Sequence, residues 1–146
     1  MLCDHGQLTK HVPYEGAWHI PLIAAGPGIR PGTCDELVEL IDIGLSICDL
    51  AGVPPVQRID AQSFAPILRD ETDTHRDFVA VRMEGFDAIR QGPWKFAHTI
   101  NDSDELYNLD DDPEERHNLI DQCPDKARAL GGYMRAMLME GGVTRG

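Results

Sequence analysis

The chain has 146 residues, 42% hydrophobic and 26% charged, the size and make-up of one ordinary globular domain with room for a buried core. Asp and Glu total 25 against 13 Lys and Arg, and the resulting net charge of -12 excludes nucleic acid as an expected partner, because phosphate binding needs clustered cations. No apolar stretch approaches the roughly 20 residues that span a bilayer, so a membrane is not expected as a partner either.

In chain order, residues 1–21 gather Asp4, His5, Lys10, His11 and His19 around the turn residues Gly6 and Pro13. This polar loop runs into Ile20-Pro21-Leu22-Ile23-Ala24-Ala25, which reads as a buried strand, and a loop feeding a strand is a common place for reactive groups in α/β proteins. On the residues alone, Asp4-His5-Gly6 is a turn and Lys10 a solvated lysine. Pro27, Gly28, Pro31 and Gly32 close the strand. Periodicity then predicts an extended piece over 36–41, Asp42 as N-cap, and a helix to Ala51 stopped by Gly52 and Pro54-Pro55. Residues 70–77 are charged and read as a loop. Strands are predicted at 78–83, 86–90, 95–100 and 105–109, with a turn over Gln91-Gly92-Pro93-Trp94. The last element is a helix from Pro124 to Glu140, with Ala127, Leu130, Met134, Met137 and Leu138 on one face. Gly131-Gly132 weakens its middle by roughly 2 kcal/mol, at about 1 kcal/mol per glycine relative to alanine.

Four cysteines (Cys3, Cys34, Cys48, Cys123) lie far apart without a Cys-x-x-Cys pair, which argues against zinc and against a dense disulfide framework. Cys48 reads as a small core residue. The acidic run 110–115 lacks the glycine and spaced ligands of a calcium loop and reads as turn and solvated surface.

Met1-Leu2-Cys3-Asp4-His5-Gly6-Gln7-Leu8-Thr9-Lys10-His11-Val12-Pro13-Tyr14-Glu15-Gly16 resembles, without gaps, the run MLGDHGLLTKHTPYEG of the sulfatase family in the alkaline phosphatase-like superfamily. Ala17 to Ile23 is similar to the S-x-R-V-P-L-I strand that follows it there. Leu40-Ile41-Asp42 with Cys48 to Gly52 is similar to LVDLAPTLLDLAG, and Asp60 to Leu68 to a DGRSLLPLL turn that docks a short helix on the core. Ala88 to Phe96 resembles the AVRTGRYKLI hairpin, and Glu105 to Leu119 the ending LYDLxxDPxERxNL. The resemblance implies an α/β fold: the C-terminal part of an alkaline phosphatase-like sulfatase, with a small α+β subdomain of antiparallel strands and a terminal helix. Residues 1–77 would be the remnant of the catalytic α/β domain and 78–146 the subdomain.

The resemblance also implies roles. Lys10 matches the lysine that contacts the sulfate group, where a fixed ammonium stabilises charge developing on the ester. His5 is placed near the pocket, behind or against the substrate, and His11 at its mouth. Asp4 and His5 echo a calcium motif, but the family's metal-binding Ser-Asp-His-Gly lies further upstream, so neither is expected to ligate the cation directly. His19 stands where relatives commonly carry arginine, and Tyr14, Glu15 and Gly16 shape the turn into the strand. Calcium belongs to the parent family and is not expected on this chain alone. The family nucleophile, a formylglycine made in a Cys/Ser-x-Pro-x-Arg motif, has no counterpart around Cys3, Cys34, Cys48, Cys123 or any serine. The expected parent activity is therefore hydrolysis of small sulfate esters, with this chain inactive by itself. The alternatives are a phosphonate or phosphate monoester hydrolase fragment, or a non-catalytic remnant that binds a partner chain. Met1 falls inside a family motif, which points to a truncated frame, a split gene or a fragment. Such a chain is expected to self-associate, or to take up its missing N-terminal half, through an exposed sheet edge. With no leader at Met1, the default compartment is the cytoplasm.

Overall fold

The computed structural model describes residues 4–6, 11–54 and 60–140. Its centre is a sheet of β1 (Val79–Met83), β2 (Phe86–Gln91), β3 (Trp94–Thr99) and β4 (Glu105–Asn108), in the order β1-β2-β3-β4. β2 pairs antiparallel with β3, and β3 with β4. All four strands fall within a residue or so of their predicted bounds. Gly92 and Pro93 link β2 to β3, and the φ of 56° at Gly92 is what a two-residue hairpin asks of its first position.

Register and pleat give the sheet two different faces. Ile89, Phe96 and Leu106 lie opposite one another and are all buried. Against them runs α4 (Pro124–Glu140), whose Ala127, Leu130 and Met134 are buried as the helical period predicts. At Gly131 the helix lies close against the sheet: a Cβ there would stand 3.3 Å from the Phe96 ring. A residue that weakens the helix in isolation is thus what lets it reach the sheet. On the other face Phe86, Ala88 and Ala97 form a buried cluster joined by Val81 and by Trp18 of α1 (Glu15–Trp18).

These elements make one compact unit, Met1–Pro21 with Ala80–Gly146; Leu22–Val79 makes another. The second unit is built on α2 (Leu40–Ala51) and α3 (Ala65–Leu68), the short helix implied by the resemblance. α2 ends at Gly52, whose φ of 66° is the left-handed stop that glycine supplies. Its start differs from the prediction. Glu39 is the N-cap, and Asp42 sits inside the first turn, accepting the Glu39 N–H at 2.9 Å in a reciprocal capping box. Asp42 is fully buried and also takes the Gln62 N–H (2.8 Å), the His75 ring (3.3 Å) and, as a bidentate pair, Nε and Nη2 of the Arg76 guanidinium. Ser46 continues the knot, accepting the Phe64 N–H at 2.9 Å and donating to the Asp42 carbonyl at 2.7 Å.

Two further expectations are corrected. Residues 20–25 form no strand, and Ile20, Leu22 and Ile23 are exposed, Ile23 to 90%. A stretch apolar on both faces is a strand only between two neighbours, and among the described residues nothing pairs with it. Cys48, read as core, is half-buried.

Candidate active site

Lys10 lies outside the described residues. What is described is how the stretch around it is held. Asp4–Gly6 forms a single 3-10 turn, with His5 in the left-handed region at φ 51°. The exposed His5 ring stacks on Tyr14, centroids 3.8 Å apart and planes 9° from parallel. His11 and His19 are both exposed, and His19 ends α1, its N–H donating to the Glu15 carbonyl at 2.8 Å.

Tyr14 and Glu15 do more than shape a turn. The Tyr14 hydroxyl donates to Glu105 Oε1 at 2.9 Å, and the Tyr107 hydroxyl donates to the same oxygen at 3.1 Å. Burial and the adjacent Glu105 carboxylate push the Tyr14 hydroxyl up to about 12, so it remains a donor throughout the physiological range. The Tyr107 hydroxyl is raised too, again by burial and then by Glu105.

Glu15 carries the second anchor. Its carboxylate takes Arg90 Nη1 at 2.9 Å and Lys95 Nζ at 3.0 Å, while its backbone N–H donates to Glu115 Oε2 at 2.6 Å. Lys95 Nζ also lies 2.7 Å from Glu115 Oε1 and sits 4.5 Å above the Trp18 ring. Arg90, Lys95 and Tyr107 are direct partners across β2, β3 and β4, so the sheet itself presents this row of polar groups toward α1. Lys95 is only 1% exposed and Glu115 3%. A buried ammonium persists only when acids and hydrogen bonds replace its water.

Sequence reading missed this cluster. It took 110–115 as solvated surface, yet Glu115 turns inward, with φ 54°, to meet Lys95. The signal was present in Lys95, a lysine flanked by Trp94, Phe96 and Ala97 in mid-strand, where pleat alternation puts it opposite the helix-facing residues. Asp4's side chain is not among those described, and among the described residues no group of three or more His, Cys, Asp or Glu is arranged to hold a metal ion.

Residues 3–139 match the family described as N-sulphoglucosamine sulphohydrolase, C-terminal. The chain belongs to this sulfatase family. Among curated proteins it is 30% identical to arylsulfatase K of Danio rerio over 149 residues, covering 92% of this chain and 28% of that one. It is likewise 30% identical to the choline-sulfatase of Rhizobium meliloti (strain 1021) over 129 residues, covering 83% of this chain and 25% of that one. Among solved structures, a 2-O GAG sulfatase superposes with a TM-score of 0.60 at 29% identity, over 80% of this chain and 28% of that one. This sulfatase-family chain thus spans about a quarter of the length of the relatives it matches. The α/β, alkaline phosphatase-like class and the antiparallel subdomain with its terminal helix stand as expected from sequence.

Proposed function

We propose that this chain is the C-terminal portion of a sulfate ester hydrolase and contributes Lys10 as its charge-stabilising cation. Cleavage transfers the sulfuryl group from the ester oxygen to a nucleophile, and negative charge grows on the departing oxygen. An ammonium fixed within hydrogen-bond reach of the ester's oxygens favours that state over the ground-state ester, whose single negative charge is spread over the sulfate oxygens. His5 would line the same pocket and His11 its entrance. The nucleophile and the calcium ligands would come from sequence outside these residues. Residues 1–77 would then belong to the catalytic α/β domain, and 78–146 would form the antiparallel subdomain.

One observation carries the reading. In a chain of the sulfatase family, the two residues that follow the Lys10 segment, Tyr14 and Glu15, are locked onto the sheet by Glu105, Arg90, Lys95 and Glu115. Lys95 and Glu115, which hold Glu15, are themselves buried. The exposed Ile20, Leu22 and Ile23 add support, because an apolar stretch of that kind suits a sheet completed by further chain.

The test uses inorganic sulfate and a chromogenic aryl sulfate. Sulfate should bind the purified chain weakly, and Lys10→Ala should remove that binding in a calorimetric or NMR titration. The aryl sulfate with calcium should not be turned over by the chain alone. Sulfate binding that survives Lys10→Ala would overturn the role given to Lys10, and robust turnover would overturn the need for an outside nucleophile.

A further inference from the structure

We propose, resting on the reading of this chain as the C-terminal portion of a sulfate ester hydrolase, that the outward face of α2 is a docking surface. Its occupant is an uncharged, apolar sheet face of the rest of the catalytic domain, carried by sequence outside these residues.

α2 is amphipathic the wrong way round for a helix that meets water. At about 3.6 residues per turn, Asp42, Ser46 and Asp49 share one side of it. That side is turned inward, and each polar group on it has partners. Asp42 takes His75 and Arg76, Ser46 takes the Phe64 N–H, and Asp49 takes Ser63 at 2.7 Å and Arg69 at 3.0 Å. The opposite side carries Leu40, Ile41, Gly44, Ile47, Leu50 and Ala51, all exposed and none polar. Neighbours in sequence show the inversion: Ser46 is 1% exposed and Ile47 60%. A surface helix lays its apolar stripe on a core, so this stripe awaits an element that the described residues do not supply.

Gly44 is a separate sign of the same contact. Nothing inside this chain asks for glycine there: the backbone is helical, and an added Cβ would meet nothing within 4 Å. Glycine in mid-helix is destabilising relative to alanine. A missing side chain at the centre of the outward face is accounted for by a neighbour that comes close, as Phe96 does to Gly131.

The nature of that neighbour follows from what Leu22–Val79 lacks. Its described residues form α2 and α3 and, in place of a sheet, one bridge between Leu37 and Arg76. Their buried apolar residues are Phe64 and Ala65 alone. Helices of an α/β domain close over a sheet, and this chain spans about a quarter of the length of the sulfatases it matches. The four-stranded sheet is already occupied, by α4 on one face and by Trp18 of α1 on the other. A second copy fits less well, because it brings another helix and a further net charge of -12.

The full chain is tested against one probe: arylsulfatase K of Danio rerio, tagged, cut ahead of the segment that this chain matches and co-expressed with it. The wild-type chain should be retained on the probe. Ile47→Asp, which leaves Asp42 and its partners in place, should weaken retention about tenfold or more. Leu40→Asp, on the same stripe, serves if Ile47→Asp does not fold. Tyr133→Asp, at an exposed position of α4, should change nothing. Gly44→Leu separates a fitted contact from general stickiness. It makes the face more apolar, yet it should weaken retention about tenfold, because the new side chain stands where the sheet would come. A wild-type chain that is not retained, retention unchanged by the aspartates, or retention raised by Gly44→Leu would each overturn the proposal. A dimer of this chain that the probe does not dissociate, and that Ile47→Asp makes monomeric, would give the face to a second copy and overturn it too. Lys10→Ala should be retained as wild type is. If the wild-type pair forms but neither binds sulfate nor hydrolyses an aryl sulfate with calcium, the catalytic reading falls while the docking surface stands.

Discussion

At the scale of single residues, two buried acids account for much of the local order. Burial alone would push the Asp42 carboxyl up, but the hydrogen bonds from Arg76, the Gln62 and Glu39 N–H groups and His75 outweigh it and hold the group down at about 2, from 3.8. The sign follows: a depressed carboxyl stabilises the fold fully above about pH 3.8 and loses that contribution as pH falls through about 2. Acid titration followed by circular dichroism should therefore show a loss in this window that Asp42→Asn no longer shows. At neutral pH, Asp42→Ala should cost about 3–5 kcal/mol in urea unfolding, since it takes the bidentate partner from the Arg76 guanidinium and leaves it only Glu39 at 3.5 Å and the Asp60 carbonyl. Glu114 and Glu115 offer a sharper contrast. They are adjacent and chemically alike, but Glu114 pairs with Arg116 at the surface while Glu115 pairs with buried Lys95. Glu115→Ala should cost about 3–5 kcal/mol and Glu114→Ala no more than about 0.5 kcal/mol. Sequence does not separate the two, because the turn at φ 54° that sends Glu115 inward is fixed by a lysine twenty residues away.

At the scale of elements, the strands were legible as short apolar-rich runs bounded by turn residues, and the last helix by a repeat near 3.6. The two elements that were misread both depend on neighbours. The start of α2 moved because Glu39 and Asp42 cap each other, a reciprocal arrangement that Asp42 alone does not reveal. The stretch 20–25 has strand composition without a ladder. Within α4 the paired glycines separate propensity from packing. Gly132 is exposed, and a methyl group added there would have nothing within 4 Å, whereas the same group at Gly131 would meet the Phe96 ring. Gly132→Ala should stabilise the chain by about 0.5–1 kcal/mol, from helix propensity. Gly131→Ala should lose that gain to the displaced ring and come out neutral or worse. Thermal unfolding of the two variants side by side is the measurement; equal gains would mean that α4 does not need its close approach at Gly131.

At the scale of the molecule, the first 21 residues pack with the C-terminal sheet, while Leu22–Val79 forms its own unit. The sulfatase resemblance made the class readable, because its motifs run nearly end to end. It left the anchoring of Tyr14 and Glu15 unread, because those contacts join residues 91 and 100 positions apart. Ile20, Leu22 and Ile23 are exposed, as are Leu40, Ile41, Ile47 and Leu50 of α2. Exposed apolar surface on this scale favours association. Sedimentation velocity of the purified chain should show concentration-dependent self-association, and Ile23→Asp should shift it toward monomer. A monomer at all concentrations would remove this expectation.

The two-residue connection between β2 and β3 sets a limit on how this protein can vary. Side chains swap faces with every one-position slip along a strand, so one inserted amino acid after Gly92 would send the Lys95 amine into the oily contact with α4 and bring the Phe96 ring out among the carboxylates. Length changes at that bend should be refused in odd steps, however freely the outer loops lengthen and shorten.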